Sequence, residues 1–236
     1  MPKSVQISGK LPSDLDRSMS EPRTRLFLVT APLSSAAEAS AGISAALGAG
    51  DVACLLVRLA SVAERDRKAI IKELAPAVQD GGTALLIEDP RLVAHVGADG
   101  VHATGADESL AAALDAMKPE RIAGVGSLGS RDDAMRAGEA GADYVMFGDA
   151  GFAIEGPTSD EVRETLAWWA EIFNVPCVGF ARSLGEVEAL ALTGAEFVAL
   201  GDAVWADPRG PGPAVAEAQA ALVRAEATLA AEEAET

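Results

Sequence analysis

The sequence predicts an α/β fold, a closed (β/α)8 TIM barrel of parallel strands, on three observations. Eight short apolar runs recur along a chain of 236 residues, and most of them lack polar alternation, as strands covered on both faces do. The segments between them repeatedly open on one helix-start pattern. Several close on a glycine-containing turn just before the next apolar run. A chain of this length suits such a barrel as one unit.

In order, the predicted strands are Arg25–Thr30 (RLFLVT), Val52–Arg58 (VACLLVR), Thr83–Glu88 (TALLIE), Gly100–His102 (GVH), Ile122–Val125 (IAGV), Tyr144–Phe147 (YVMF), Cys177–Phe180 (CVGF) and Phe197–Leu200 (FVAL). Between them, Ser35 with Glu38, Ser61 with Glu64, Ser130 with Asp133, Thr158 with Glu161 and Ser183 with Glu186 fit the [ST]-x-x-[DE] capping box. There the hydroxyl accepts one orphan N–H and the carboxylate three residues on reaches back to another. One box is weak evidence; five, each shortly after an apolar run, are strong. Gly48-Ala-Gly-Asp51, Gly97-Ala-Asp99, Gly141-Ala-Asp143 and Gly194-Ala-Glu196 precede strands, and glycine closes a helix in the left-handed conformation at little steric cost. GADYVMFGD (Gly141–Asp149) and GAEFVALGD (Gly194–Asp202) repeat one order of turn, strand, glycine and aspartate. The competing open, doubly wound sheet would show a glycine-rich turn after its first strand. The chain reads Ala31-Pro-Leu-Ser-Ser35 there, so the closed barrel is preferred. A last long helix over Ala214–Ala231 is expected to cover the outside next to the eighth strand, with residues 232–236 frayed.

Hydrophobic residues are 49% of the chain and aromatics only 4%, so the core must be built from Ala, Val, Leu and Ile. The formal net charge of −17 argues against nucleic acid and against an anionic membrane surface, both of which bind clustered Lys and Arg. A phosphate ligand would need local positive charge or backbone donors against that field. Cys54 and Cys177 lie inside apolar runs and read as core packing, without disulfide or zinc spacing. No apolar stretch approaches a membrane span, and residues 1–22 lack the apolar run of a signal peptide; a cytoplasmic setting is expected. Residues 1–22, with three Pro and five Ser, are expected to form a disordered extension, and residues 23–236 a single barrel domain. Trp168 and Trp169 are adjacent on one helix, so one is expected to be partly exposed, in a homo-oligomer contact or in local packing.

In such barrels the chemistry stands at the carboxyl ends of the strands. Those ends supply Thr30, Arg58, Glu88 with Asp89, His102, Gly126 with Ser127, Asp149, Arg182 and Asp202. Each has two readings. Arg58 and Arg182 either pair with neighbouring carboxylates or present a planar fork to phosphate. Glu88 and Asp89 either hold a divalent cation such as Mg2+ or serve as turn residues, and Asp107 is equally the cap of the next helix. His102 is either a satisfied structural histidine or a catalytic one. With two histidines in the chain and no nucleophile triad or zinc motif, acid–base work would fall mainly to carboxylates or water.

At these strand ends the chain resembles thiamine phosphate synthase and its relative, the thiazole tautomerase, which are also (β/α)8 barrels. The resemblance spans about residues 25–210 and rests on RLFLVT, on LLIEDPRLVAHVGADGVHATGAD at Leu85–Asp107, on GADYVMFGD and on Pro176 before the seventh strand. It implies a reaction joining a pyrimidine pyrophosphate to a thiazole phosphate, with release of pyrophosphate and with Mg2+ as cofactor. Arg58, Glu88, His102, Ser127, Asp149, Arg182 and Asp202 are then the substrate-binding residues, and Asp89 and Asp107 the metal ligands.

Departures from the family pattern follow the same rim. Its Gln-x-Arg-x-Lys is Leu56-Val-Arg58-Leu-Ala60 here, its Asn-Asp is Glu88-Asp89, and Arg91 stands near the place of a further metal-binding Asp. Its Thr-x-Thr-Lys loop is replaced by FAIEG at Phe152–Gly156. Its Gly-Gly and Ser at the last two strands, which cradle a phosphate, are Ala181-Arg182 and Gly201-Asp202. The tautomerase histidine would fall near Gly129, where none occurs. Two alternatives to the synthase stand beside it. One is a noncatalytic paralogue binding a pathway metabolite or a protein partner. The other is a different reaction using Glu88, Asp149 and Asp202.

Overall fold

A computed structural model describes residues 24–149 and 157–235. The extension expected over residues 1–22 and the FAIEG loop at Phe152–Gly156 lie outside the described residues. Eight parallel strands, β1 (Arg25–Val29), β2 (Val52–Val57), β3 (Ala84–Ile87), β4 (Gly100–Thr104), β5 (Ile122–Gly126), β6 (Tyr144–Phe147), β7 (Cys177–Ala181) and β8 (Phe197–Leu200), close into a barrel in chain order. The ring is completed by β1 against β8, from Arg25↔Phe197 to Leu28↔Leu200. The helices are α1 (Ser40–Leu47), α2 (Glu64–Gln79), α3 (Pro90–Val96), α4 (Glu108–Met117), α5 (Arg131–Ala140), α6 (Ser159–Ile172), α7 (Val187–Ala191), α8 (Asp202–Trp205) and α9 (Pro211–Ala234).

The two-residue pleat divides each strand between two cores. Phe27, Cys54, Leu56, Leu86, Tyr144, Met146 and Val178 pack together inside the ring. Their neighbours Leu26, Leu28, Leu55, Val57, Leu85, Ile87 and Val145 pack outward under the helices. Both faces are buried, which is why the strands read as unbroken apolar runs. Cys54 and Cys177 are buried free thiols; burial raises the Cys54 thiol to about 12 and raises Cys177 as well, so both stay neutral.

Three of the four glycine turns behave as their sequence predicts. Gly97, Gly141 and Gly194 take φ of 78°, 99° and 85°. The acid two residues later in each turn then accepts the backbone N–H of the preceding strand. Asp99 takes Leu85 N–H at 2.9 Å, Asp143 takes Ala123 N–H at 2.7 Å and Glu196 takes Cys177 N–H at 2.9 Å. Gly48 differs: its φ is −78°, and Asp51 after it forms a two-bond pair with Arg25 at 2.5 and 2.6 Å.

The capping boxes are corrected in part. Thr158 and Glu161 make the full reciprocal box on α6, and Ser130 caps α5. The others do not cap helices. Glu38 accepts the N–H groups of Ser34 and Ser35 in a turn ahead of α1. α2 begins at Glu64 itself, which pairs with Lys68 at 2.6 Å. Glu186 reaches back to Arg182 N–H and to Ser159 Oγ, 2.8 Å each. Three strands also end one residue earlier than predicted, at Val29, Val57 and Ile87. At the first two the ladder gives way to a side-chain bond, in which Arg58 N–H donates to Thr30 Oγ1 at 3.0 Å.

The last helix is longer than expected and buries Ala214, Val215, Ala218, Ala221, Leu222 and Ala225. It lies against α1 and α7. Its small residues allow close approach: a Cβ on Gly212 would stand 3.3 Å from Ala45 O. Trp169 is fully buried, with its indole N–H on Val175 O at 2.7 Å. Trp168 is half-buried, under the Arg131 guanidinium at 4.5 Å.

Asp99 also accepts from the Gln79 amide at 2.7 Å. Replacing Asp99 by Ala leaves the buried Leu85 N–H without this acceptor, while the Gln79 amide keeps Gly97 O at 2.9 Å, and the expected cost in urea denaturation is about 1–3 kcal/mol. Asp115→Ala, at an exposed position, should change stability by less than about 0.5 kcal/mol.

Candidate functional site

The inward series of each strand continues past the ladder into the mouth. On β2 it runs Cys54, Leu56, Arg58; on β3 Leu86, Glu88; on β4 His102, Thr104. Two adjoining cavities open there. One of about 240 Å³ is lined by Arg58, Glu88, His102, Thr104, Ser127 and Asp149 over a floor including Leu56 and Met146. The other, about 330 Å³, is bounded by Thr30, Arg58, Arg182, Gly201 and Asp202. Val29, Arg58 and Phe180 form the wall they share. All seven residues expected to bind substrate therefore line the mouth, five in the first cavity and three in the second, Arg58 being common to both. A larger hollow of about 560 Å³ lies off this axis, by Ser130, Arg131 and Glu161; none of the seven lines it.

The cations of the mouth are engaged. Arg58 Nε meets Glu88 Oε1 at 3.2 Å, both side chains part-exposed, so this pair is worth at most about 1 kcal/mol and opens readily. Arg182 donates through its guanidinium to Pro157 O, and its backbone N–H is taken by Glu186. Asp149 accepts from both Ser127 N–H at 2.8 Å and Ser127 Oγ–H at 2.9 Å. That double hold keeps Ser127 at φ 54°, left-handed for a residue with a side chain. Asp202 is exposed, and among the described residues its carboxylate makes no hydrogen bond or ion pair.

His102 is 5% exposed, and its Nδ1 lies 2.7 Å from the Tyr144 hydroxyl. The Tyr144 ring fits inside the barrel because Gly124 has no side chain: a Cβ there would stand 2.0 Å from it. Gly126 does the same one step higher, where a Cβ would meet His102 Nε2 at 2.7 Å and Asp149 Oδ2 at 2.9 Å. Burial lowers the imidazole to about 4, opposed by Asp149 and reinforced by Arg58; burial likewise raises the Tyr144 phenol. The ring is thus neutral at pH 7. The tautomer serving both neighbours accepts the Tyr144 proton at Nδ1 and turns Nε2–H toward Asp149.

The two expected metal ligands stand apart from both cavities. Asp89 caps α3 through Arg91 N–H at 3.1 Å, and its oxygens also accept Arg91 Nε at 3.0 Å, Arg91 Nη2 at 2.9 Å and Arg67 Nη1 at 3.3 Å. Arg91 holds the carboxyl below its ordinary range. Asp107 caps α4 through Ser109 N–H at 3.1 Å. Among the described residues no three acidic, His or Cys side chains come together as a metal group. A carboxylate saturated by two guanidinium groups does not suit Mg2+, which demands near-octahedral oxygen donors.

Sequence reasoning missed Tyr144, Glu186 and Arg67. Only the glycine facing Tyr144 across the β5–β6 pair carried a local signal of a large ring inside the barrel.

Residues 26–204 match the family model described as thiamine monophosphate synthase. The thiamine-phosphate synthase of Rhodospirillum centenum is 38% identical over 197 residues, 82% of this chain and 95% of the relative. That of Hyphomonas neptunium is 34% identical over 209 residues, 85% and 94% of the two chains. The solved thiamine phosphate pyrophosphorylase of Pyrococcus furiosus superposes with a TM-score of 0.72 at 18% identity, covering 86% of this chain and 98% of that one. A 3-hexulose-6-phosphate synthase superposes with a TM-score of 0.65 at 19% identity, covering 83% and 98%. At such identities the last two speak for the barrel alone.

The buried histidine sets a pH dependence. The unfolded chain takes up the proton near 6.5 and the folded chain only near 4, so the unfolded state binds more protons between those values. Stability from urea denaturation should fall by roughly 3 kcal/mol as pH drops through that window. His102→Gln should flatten this component.

Proposed function

Since this chain belongs to the thiamine monophosphate synthase family, we propose that its mouth joins a pyrimidine pyrophosphate to a thiazole phosphate and releases pyrophosphate. The observation that carries this reading is the position of Arg58 on the wall between the two cavities. A cation there touches both halves of a joined ligand. It faces the charge that grows on the leaving pyrophosphate as the new bond forms and the old one breaks. Ser127, His102 and Asp149 line the first cavity with hydroxyl, N–H and carboxylate groups, a set suited to the nitrogens of a pyrimidine. The Leu56, Met146 and Phe180 surfaces suit the faces of its ring. Mg2+ receives no step, because Asp89 is already saturated by Arg67 and Arg91.

A second reading, a noncatalytic paralogue that binds such a ligand, is favoured by one observation. Glu88, Asp149 and Asp202 outnumber Arg58 and Arg182 around the openings. Each unit charge pair about 4 Å apart is worth about 4 kcal/mol at intermediate dielectric, so polyphosphate is held weakly.

Steady-state pyrophosphate release, with a heat-inactivated control, separates the two. Turnover supports condensation. Thermal stabilisation by the pyrimidine pyrophosphate without turnover supports the binding role, and neither effect sinks both. Glu88→Gln frees Arg58 and should tighten inorganic pyrophosphate binding by about three- to tenfold, measured by calorimetry; unchanged affinity would remove Arg58 from the anion site.

A further inference from the structure

We propose that Tyr144, which lines neither cavity, is a positioning residue for the first one. Its phenol donates to His102 Nδ1 and so fixes Nε2–H as a donor for a ring nitrogen of the ligand. This rests on the reading of that cavity as the pyrimidine site and adds a residue that acts through another. Three observations carry it. The Tyr144 hydroxyl lies 2.7 Å from His102 Nδ1, and among the described residues it has no other hydrogen-bond partner. His102 is buried yet lines the first cavity, and its Nε2 makes no hydrogen bond to any described residue. The phenol ring is wedged in place, with Phe27 edge-on at 5.6 Å and the imidazole stacked at 5.8 Å.

These facts fix the direction of the chain. A proton on Nδ1 would turn the phenol oxygen into an acceptor and strand its own O–H in the apolar interior shared with Phe27 and Met146. With the phenol donating, both ends are served, and Nε2 carries its hydrogen into the cavity. Donation into Nδ1 also polarises the ring and strengthens Nε2–H as a donor. Ser127 spends its N–H and its Oγ–H on Asp149, so it does not compete for an acceptor on the ligand.

Tyr144 is the single tyrosine of the chain, so growth on difluorotyrosine makes this phenol alone a stronger donor. In nitrogen-15 spectra of the full-length protein, His102 should be the Nε2–H tautomer. Difluorotyrosine should move its Nδ1 resonance and leave that of the exposed His95 in place. An Nδ1–H tautomer, or an unmoved resonance, overturns the proposal. Calorimetry then compares a pyrimidine pyrophosphate with the two pyridine analogues in which one ring nitrogen or the other is C–H. The parent should bind the pyrimidine at least about tenfold tighter than one pyridine, and Tyr144→Phe should shrink that gap to about threefold or less. Val215→Ala, a buried site under the last helix, should keep the gap and so separate positioning from general loosening. A gap unchanged in Tyr144→Phe, or closed equally by Val215→Ala, overturns the proposal, as does a parent that binds all three alike or none. Pyrophosphate release judges the condensation reading separately. Release without the gap leaves condensation standing and removes the role of Tyr144; the gap without release upholds that role and removes the reaction.

Discussion

Everything at the mouth depends on a contact made at the opposite rim, where an acid in the turn before one strand accepts a backbone N–H from the first two residues of its neighbour. Asp99 does this for β3, Asp143 for β5 and Glu196 for β7. Each bond fixes where two adjacent strands begin relative to one another. Because the pleat alternates, a slip of one residue would exchange the inner and outer series of a strand. Arg58, Glu88 and His102 would then point at helices. The functional geometry is thus pinned some strand-length away from where it acts.

The two rims treat charge differently. At the lower one, Asp143 is held by Lys118 and by a backbone N–H, and Asp51 by both arms of Arg25. These groups are consumed in holding the ring. At the upper rim the bonds are looser and local. Arg58 and Glu88 share a single part-exposed contact, Ser127 and Asp149 hold each other, and Asp202 has no partner among the described residues. Groups on this side can exchange a neighbour for a ligand at small cost.

Much of the fold was legible because its signals are local. Apolar runs with both faces covered and glycine turns followed by an acid need only a few consecutive residues to be read. Thr158–Glu161 was legible in the same way. Ser61 and Ser183 carry the same pattern and fail because their partners find better bonds: Glu64 with Lys68 along α2, Glu186 with Arg182 and with Ser159 from another element; Glu38 does reach back to Ser35 N–H, but the helix begins only at Ser40. The rim residues were legible as a set, since strand ends in a barrel converge by topology. Their pairings were not. That Arg67 closes on Asp89, or that Tyr144 stands beneath His102 across 42 positions, depends on side-chain reach across elements, which no spacing in the chain encodes.

The long final helix, 24 residues from Pro211 to Ala234, covers the seam where β8 meets β1 by lying on α1 and α7. Its partner α1 lies far from it in the chain, and Gly42 and Ala45 are the α1 residues that meet Pro211 and Gly212. Closing a loop of that length costs chain entropy that neighbouring elements do not pay, so this seam is the least local contact of the ring.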